Sequence, residues 1–245
     1  MAVAEAFGDP PLSPLFPEEE ALVAKAVAKR RREFTAARGC ARDALSQLGL
    51  PPAPIGRGPK GAPQWPPGIV GSITHCAGYA AAAAARSSDI LTVGLDAEPH
   101  DRLPERVLGA IALPQEQARV AELAADWPGT CWDRVLVCAK ETVYKAWFPL
   151  TQRWLGFEDA RIDLEPGGGS FTARLLVDGR CADGRELTGF SGRFLVSQGL
   201  IVTSIAVELL AEGGSRSWAP HPAGQPQRLS GEISGNGRKV MVVRT

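Results

Sequence analysis

Two short runs of the chain concentrate the groups that could do chemistry: VGLDAEPH at 93–100 and CAKETVYKAW at 138–147. The first reads as a strand that ends on Asp96 and Glu98. Strand residues two apart point the same way and lie about 6.5–7 Å apart, so the two carboxylates can converge on one ion. A hard cation such as Mg²⁺ takes carboxylate oxygens and keeps waters or substrate phosphates as its other ligands. The second run reads as a helix that crowds Lys140, Glu141, Tyr144 and Lys145 into two turns. It offers a third carboxylate and two cations that could surround a phosphate-bearing ligand. Read singly, each run has a plainer account: Asp96 and Glu98 as solvated turn residues ahead of Pro99, and Glu141 with Lys145 as a surface i,i+4 pair worth a few tenths of a kcal/mol. The combination favours a site.

Composition bounds the ligand. Lys plus Arg and Asp plus Glu both total 27 among 245 residues, so no overall field draws in a polyanion, and a charged ligand must be held by a local cluster. At 44% hydrophobic and 22% charged, the chain can bury one large or two small cores. The start lacks a basic region followed by an apolar one, and no run approaches the ~20 apolar residues that span a bilayer. Cys40, Cys76, Cys131, Cys138 and Cys181 show no CxxC spacing, which suits reduced thiols better than disulfides or zinc. A soluble cytoplasmic monomer is expected, without membrane or nucleic-acid partners. His75 beside Cys76 is too little for a metal site.

The elements that must carry these residues follow from periodicity. After Pro17, Val27, Phe34, Ala41 and Leu48 recur every seven residues, which predicts a long helix over 18–48, broken once. Lys25, Lys29, Arg30, Arg31, Arg32, Arg38 and Arg42 lie along it, by default a solvated basic face. The Pro- and Gly-rich stretch that follows is a loop and delivers Arg57 and Lys60. IVGSITH, GYAAAAAARS and ILTVGLD then read as a three-strand meander, the alanine run being its middle strand, with small side chains that let a neighbour pack closely. Helices are predicted over 104–125, interrupted by Pro114, and from Trp132 to Phe148, ending before Pro149. ARIDL, FTARLLV, LTGFSGRFLV and LIVTSIAVEL alternate as an antiparallel sheet. Helix followed by strands thus occurs twice, giving an α+β fold with subdomains over 1–112 and 113–212. The polar segment 213–245 is predicted to be a flexible tail.

GSITHC, VGLDAEP and CAKETVYKAWFPLTQRWLGFEDA resemble the three blocks of the Sfp-type phosphopantetheinyl transferases, in particular the actinobacterial versions. The ordered set, D-x-E and then K-E-x-x-x-K some forty residues later, carries the resemblance over roughly residues 15–210. It implies two α+β halves related by a pseudo-twofold axis, each a small antiparallel sheet packed with a long helix, and an active site in the cleft between them. It further implies transfer of the phosphopantetheine arm of coenzyme A to a serine of an apo acyl or peptidyl carrier protein, releasing adenosine 3′,5′-bisphosphate.

By the same resemblance Asp96, Glu98 and Glu141 hold Mg²⁺, with Mn²⁺ as a substitute. Lys145 meets the pyrophosphate with Lys140 beside it. Thr74 and His75 meet the 3′-phosphate, and Arg30, Arg38, Arg57 and Lys60 surround the nucleotide end. Glu141 is the favoured acceptor of the serine proton, a metal-bound water being the alternative. Tyr144 or Trp147 lines the channel for the pantetheine arm. Val107, Leu108 and Ile111 form either a ridge for the carrier or part of the core.

Val137, Thr142 and Ala62 depart from the family's usual residues. Arg31, Arg38 and Arg42 share a helix face better than Arg30 and Arg38 do, so the choice of Arg30 implies a helix break near residue 30. Two other functions compete. A metal-dependent nuclease could use the acid pair, although His100 stands where such sites place a lysine. A non-enzymatic module could bind through the basic helix.

Overall fold

Two glutamates set the starts of the helices that precede the long ones. In Phe16-Pro17-Glu18-Glu19 and Leu113-Pro114-Gln115-Glu116, proline takes the first helical position, where its missing N–H costs nothing. The glutamate two residues later reaches back to the N–H ahead of the proline, at 3.1 Å for Glu19 and 2.7 Å for Glu116. These are α1 (Pro17–Val23) and α4 (Pro114–Asp126). Each glutamate is fully buried, accepts a second backbone N–H, from Ile55 or Ile162, and pairs with a cation of the next long helix. Arg42 of α2 (Ala28–Gln47) lies 2.8 Å from Glu19, and Lys140 of α5 (Trp132–Thr151) lies 2.9 Å from Glu116. The same device therefore anchors both long helices.

The computed structural model describes residues 1–8, 13–209, 232–234 and 238–240, and the architecture is α+β. A three-stranded antiparallel sheet has the order β1-β5-β4, formed by β1 (Ala2–Phe7), β4 (Ile69–Cys76) and β5 (Tyr79–Arg86). The tiny pair β2 (Gly56–Arg57) and β3 (Pro63–Gln64) sits in the loop before it. A five-stranded sheet has the order β6-β10-β9-β8-β7, with β6 (Ile90–Pro99), β7 (Ala160–Glu165), β8 (Ser170–Leu175), β9 (Gly189–Ser197) and β10 (Leu200–Glu208). A short helix, α3 (Val107–Ile111), follows β6. Glu232–Ser234 and Arg238–Val240 pair as β11 and β12; the rest of the tail predicted to be flexible lies outside the described residues. Among the described residues no helix is long and apolar enough to cross a membrane.

The alanines of β5 are packed on both faces. Ala80, Ala82 and Ala84 meet Ala37, Ala41 and Ala44 of α2, while Ala81, Ala83 and Ala85 meet Val93, Leu95 and Ala97 of β6. Any larger side chain would push one layer away.

Several expectations need correction. The expected single break in the N-terminal helix is present but lies between Val23 and Ala28, ahead of residue 30, so Arg30 and Arg38 share one unbroken helix. Pro149 lies inside the last turn of α5 and does not stop it before that residue. β1, absent from the sequence reading, pairs with β5 in place of β6. The third strand of the expected meander, β6, belongs to the other sheet: it joins β10 antiparallel with Asp96 opposite Thr203 and Glu98 opposite Ile201.

Hydroxyls replace a ladder where the sheets meet. Ser72 Oγ of β4 accepts the Leu95 N–H at 3.0 Å, and Thr74 Oγ1 accepts the Ala97 N–H at 3.0 Å. These bridges satisfy strand-edge groups that would otherwise be buried unpaired. The other face of β6 lies against α5. Thr92 Oγ1 donates to the Ala146 carbonyl at 2.9 Å, and a Cβ on Gly94 would stand 2.3 Å from the Thr142 carbonyl oxygen. Gly94 therefore sets how near the strand with Asp96 and Glu98 comes to the helix with Glu141 and Lys145. Gly94→Ala should lower unfolding stability by about 1–3 kcal/mol, the usual cost of overpacking, as measured by urea denaturation. Wild-type stability would show that the approach is not tight.

Candidate active site

Asp96 is the fixed point of the site. It is 6% exposed, and its Oδ1 accepts from Lys145 Nζ at 2.7 Å and from Thr74 Oγ1 at 3.1 Å. Its Oδ2 is buried with no hydrogen-bond partner. Lys145 also donates to the Leu95 carbonyl at 3.0 Å and reaches the Ile73 carbonyl at 3.5 Å. One ammonium thus joins α5 to β6 and β4.

Glu98 follows on the same face of β6, at the exposed end. Arg134 of α5 holds its Oε2 at 3.1 Å. Glu141 lies one helical turn before Lys145 and lines a cavity of about 450 Å³ with Lys60, Tyr144 and Lys145. As the side chains stand, no three His, Cys, Asp or Glu among the described residues close on a metal position. The expected convergence of Asp96, Glu98 and Glu141 is therefore not drawn tight. Lys145 engages Asp96 and Arg134 engages Glu98. The donor chemistry nevertheless fits a hard divalent cation: carboxylate oxygens only, one of them buried and unpartnered.

The basic residues gather next door. A cleft of about 520 Å³ is lined by Arg30, Arg38, Arg57, Thr74 and His75 and runs to Asp96 and Lys145. It meets the 450 Å³ cavity at Gly61, Pro63, Ile73 and Lys145. Arg30, Phe34 and Arg38, at i, i+4 and i+8 of the unbroken α2, all line this cleft, where Arg30 Nη1 hydrogen-bonds His75 Nε2. Glu33 stands 3.8 Å from both Arg30 and His75 Nδ1. Burial first, then the charge of Arg30, holds the imidazole below its ordinary range against the pull of Glu33, so His75 is neutral near neutral pH.

The structure separates three of the expected ligand contacts from the rest. Lys140 is buried, and its Nζ donates to the Phe157 carbonyl at 2.6 Å and the Ala160 carbonyl at 2.8 Å while pairing with Glu116. Neighbouring helix positions differ by about 100°, so with Glu141 on the cavity side Lys140 faces the core and ties α5 to α4 and β7. Thr74 spends its only O–H on Asp96, so it positions that acid and has no proton left for a phosphate. Lys60, in a turn at φ 54°, lines the neighbouring cavity and not the basic cleft. Arg38 lines the cleft but is partly committed: its Nε donates to the Ile55 carbonyl at 2.9 Å, and burial pushes its pKa down to about 10.

Arg134, Glu33 and Trp65 were not read from sequence. Arg134 and Glu33 carried no signal beyond ordinary helix charges. Trp65, hidden in a proline-rich loop, lines the 450 Å³ cavity, and its Nε1 lacks a hydrogen-bond partner, as does the Tyr144 hydroxyl. Trp147 is core: 1% exposed, with Nε1 donating to the Arg153 carbonyl.

Comparison with known proteins adds an independent line. Residues 18–85 match the model of the 4′-phosphopantetheinyl transferase N-terminal domain, and residues 92–188 match that of the 4′-phosphopantetheinyl transferase superfamily. The chain is 54% identical to the 4′-phosphopantetheinyl transferase PptT of Mycobacterium tuberculosis, over 84% of this chain and 92% of that protein. It is 53% identical to Svp of Streptomyces mobaraensis, over 81% of each, and 50% identical to Npt of Nocardia iowensis, over 78% of this chain and 88% of that protein.

Crowding of the acids has a thermodynamic signature. Burial first, and Asp96 second, push both Glu98 and Glu141 above the ordinary 4.5, with Lys145 pulling each down. The folded protein then keeps a proton that the unfolded chain has already lost. Stability therefore falls as pH rises from the unfolded value through the raised folded one. Glu141→Gln should melt higher than wild type at about pH 7.5 in metal-free buffer, and the gap should close by about pH 4, where both states are protonated. A variant that melts lower at the higher pH would contradict this.

Proposed function

The chain belongs to the 4′-phosphopantetheinyl transferase superfamily, and from that premise we propose how its residues move the phosphopantetheine arm of coenzyme A onto a serine of an apo carrier protein. The observation that carries the assignment is the meeting at Lys145 of the basic cleft and the cavity beside Glu141, next to the unpartnered Oδ2 of Asp96.

In this reading the adenosine 3′,5′-bisphosphate end lies in the basic cleft, with Arg30 and His75 donating to the 3′-phosphate and Arg57 and Arg38 adding charge. A neutral chain needs such a local cluster to hold a pyrophosphate and a phosphomonoester. The pantetheine arm enters the neighbouring cavity, where the free donors of Trp65 and Tyr144 suit its amide carbonyls. Lys145 turns its weakest contact, the 3.5 Å approach to the Ile73 carbonyl, toward the pyrophosphate. Asp96, Glu98 and Glu141 would hold Mg²⁺, which when bound supplies charge neutralisation for the phosphoryl oxygens.

Phosphoryl transfer asks chiefly for alignment and for positive charge where negative charge develops. The serine oxygen of the carrier forms a bond to the phosphorus that bears the pantetheine. The bond from that phosphorus to the leaving adenosine 3′,5′-bisphosphate breaks, and the serine proton passes to Glu141. Its raised pKa suits that role, because a carboxylate whose pKa lies nearer the working pH is a better base.

The competing functions lose their supports. His100, the residue in place of a nuclease lysine, accepts the Cys131 N–H at 3.0 Å and serves a loop. A basic helix for nucleic acid would need its arginines free, yet Arg42 is buried on Glu19 and Arg38 is held on the Ile55 carbonyl. For carrier docking, Val107, Leu108 and Ile111 are all half-buried, and Leu108 packs against the apolar cluster that α4 and α5 form with the five-stranded sheet, which favours a core role for it.

Incubated with coenzyme A, Mg²⁺ and an apo carrier, the protein should add the mass of one phosphopantetheine, and Asp96→Ala should abolish the gain while staying folded. Arg30→Ala should raise KM for coenzyme A by about 10- to 100-fold, as loss of a charge-assisted hydrogen bond does. It should leave KM for coenzyme A lacking the 3′-phosphate nearly unchanged. An equal rise for both substrates would remove Arg30 from the 3′-phosphate.

A further inference from the structure

Arg134 sits in the first turn of α5, and its planar guanidinium donates in three directions. Nη1 reaches Glu98 Oε2 at 3.1 Å, Nε the Asp101 carbonyl at 3.0 Å, and Nη2 the Arg102 carbonyl at 3.2 Å. Its neighbours do related work. Asp133 Oδ2 accepts the Leu103 N–H at 2.9 Å, and the Cys131 N–H donates to His100 Nε2 at 3.0 Å. Four successive residues after β6, from His100 to Leu103, are thereby fastened to the start of the helix that carries Glu141 and Lys145.

We propose that Arg134 is a positioning residue of the carboxylate site: it holds one oxygen of Glu98 and leaves the other free to bind a divalent cation together with Asp96 and Glu141. The inference rests on reading those three acids as the ligand set. Its physical basis is that Arg134 is the side chain that holds Glu98 in place. Glu98 lies at the exposed end of β6 on a side chain with three rotors. Without a cationic partner, a carboxylate so placed turns out toward water. Arg134 opposes that with charge and with direction, because the two backbone carbonyls fix the plane in which the guanidinium meets Glu98. Lysine is a poor substitute: its donors all leave one nitrogen, whereas the guanidinium spreads three nitrogens over the Asp101 carbonyl, the Arg102 carbonyl and Glu98 and so fixes the direction from which Glu98 is met. Groups that orient metal ligands typically govern affinity by about 10- to 100-fold.

The test is Mn²⁺ binding in the presence of coenzyme A, read by electron paramagnetic resonance of the free ion, so that no turnover is needed. Arg134→Met should weaken Mn²⁺ binding by about 10- to 100-fold, and Arg134→Lys should lose most of the same amount despite keeping the charge. Asp133→Ala, which releases Leu103 but not Glu98, should bind Mn²⁺ nearly as wild type does. Asp96→Ala should bind no ion at the site. Arg134→Lys at wild-type affinity while Asp96→Ala has lost the ion would overturn the inference and leave the ligand set standing. Equal loss in Asp133→Ala and Arg134→Lys would also overturn it, because loop tethering alone would then account for the effect. Unchanged binding in Asp96→Ala would overturn the ligand set and the inference together.

Discussion

One ammonium group holds the site in shape. Lys145 Nζ meets the Asp96 carboxylate and the Leu95 carbonyl on the edge strand of one sheet and reaches the Ile73 carbonyl on the edge strand of the other. The two sheets share no backbone ladder there. Ser72 and Thr74 supply hydroxyl bridges in its place, and Lys145 adds an ion pair with Asp96. The gap this leaves is open to ligand on both sides: a basic cleft faces α2, and a cavity with unpaired Trp and Tyr donors faces α5.

Three acids in such a place work against folding, and the molecule is stabilised elsewhere. Glu19 and Glu116 are as deeply buried as Asp96, yet each is fully satisfied by two backbone N–H groups and a cation. The contrast shows what separates a structural acid from a functional one. Glu116 has a donor on each oxygen, while Asp96 keeps Oδ2 without one. Buried ion pairs hold little net energy, but removal of one member leaves an uncompensated charge costing about 3–5 kcal/mol, so the two anchored helices cannot drift. Rigid supports of this kind let the acids stay crowded.

The sequence made part of this legible. Asp96 and Glu98 could be placed on one face of a strand because the period of two is local and needs no knowledge of the partner. The alanine run could be read as a strand packed closely, since eight residues make a poor helix between two strand-like neighbours. Lys140 could not be sorted from Lys145 by motif alone, because a motif orders residues along the chain while the helix turns each about 100° from the last. The Phe-Pro-x-Glu and Leu-Pro-x-Glu repeats carried that answer, as they supply the buried acid that claims Lys140. β1 escaped because AVAEAF is too small and mixed to show alternation. Its pairing with β5 depends on contacts some eighty residues away, which local pattern does not reach.

The central claim is that Asp96, Glu98 and Glu141, drawn from two separated stretches of chain, bind a single divalent cation beside Lys145. A crystal of the protein with Mn²⁺ and coenzyme A, measured at the manganese absorption edge, tests it most directly. The account predicts one anomalous peak about 2 Å from an oxygen of each acid, with a coenzyme A phosphate completing the shell. A peak held by phosphates alone, with Glu141 turned away and Lys145 still on Asp96, would contradict it.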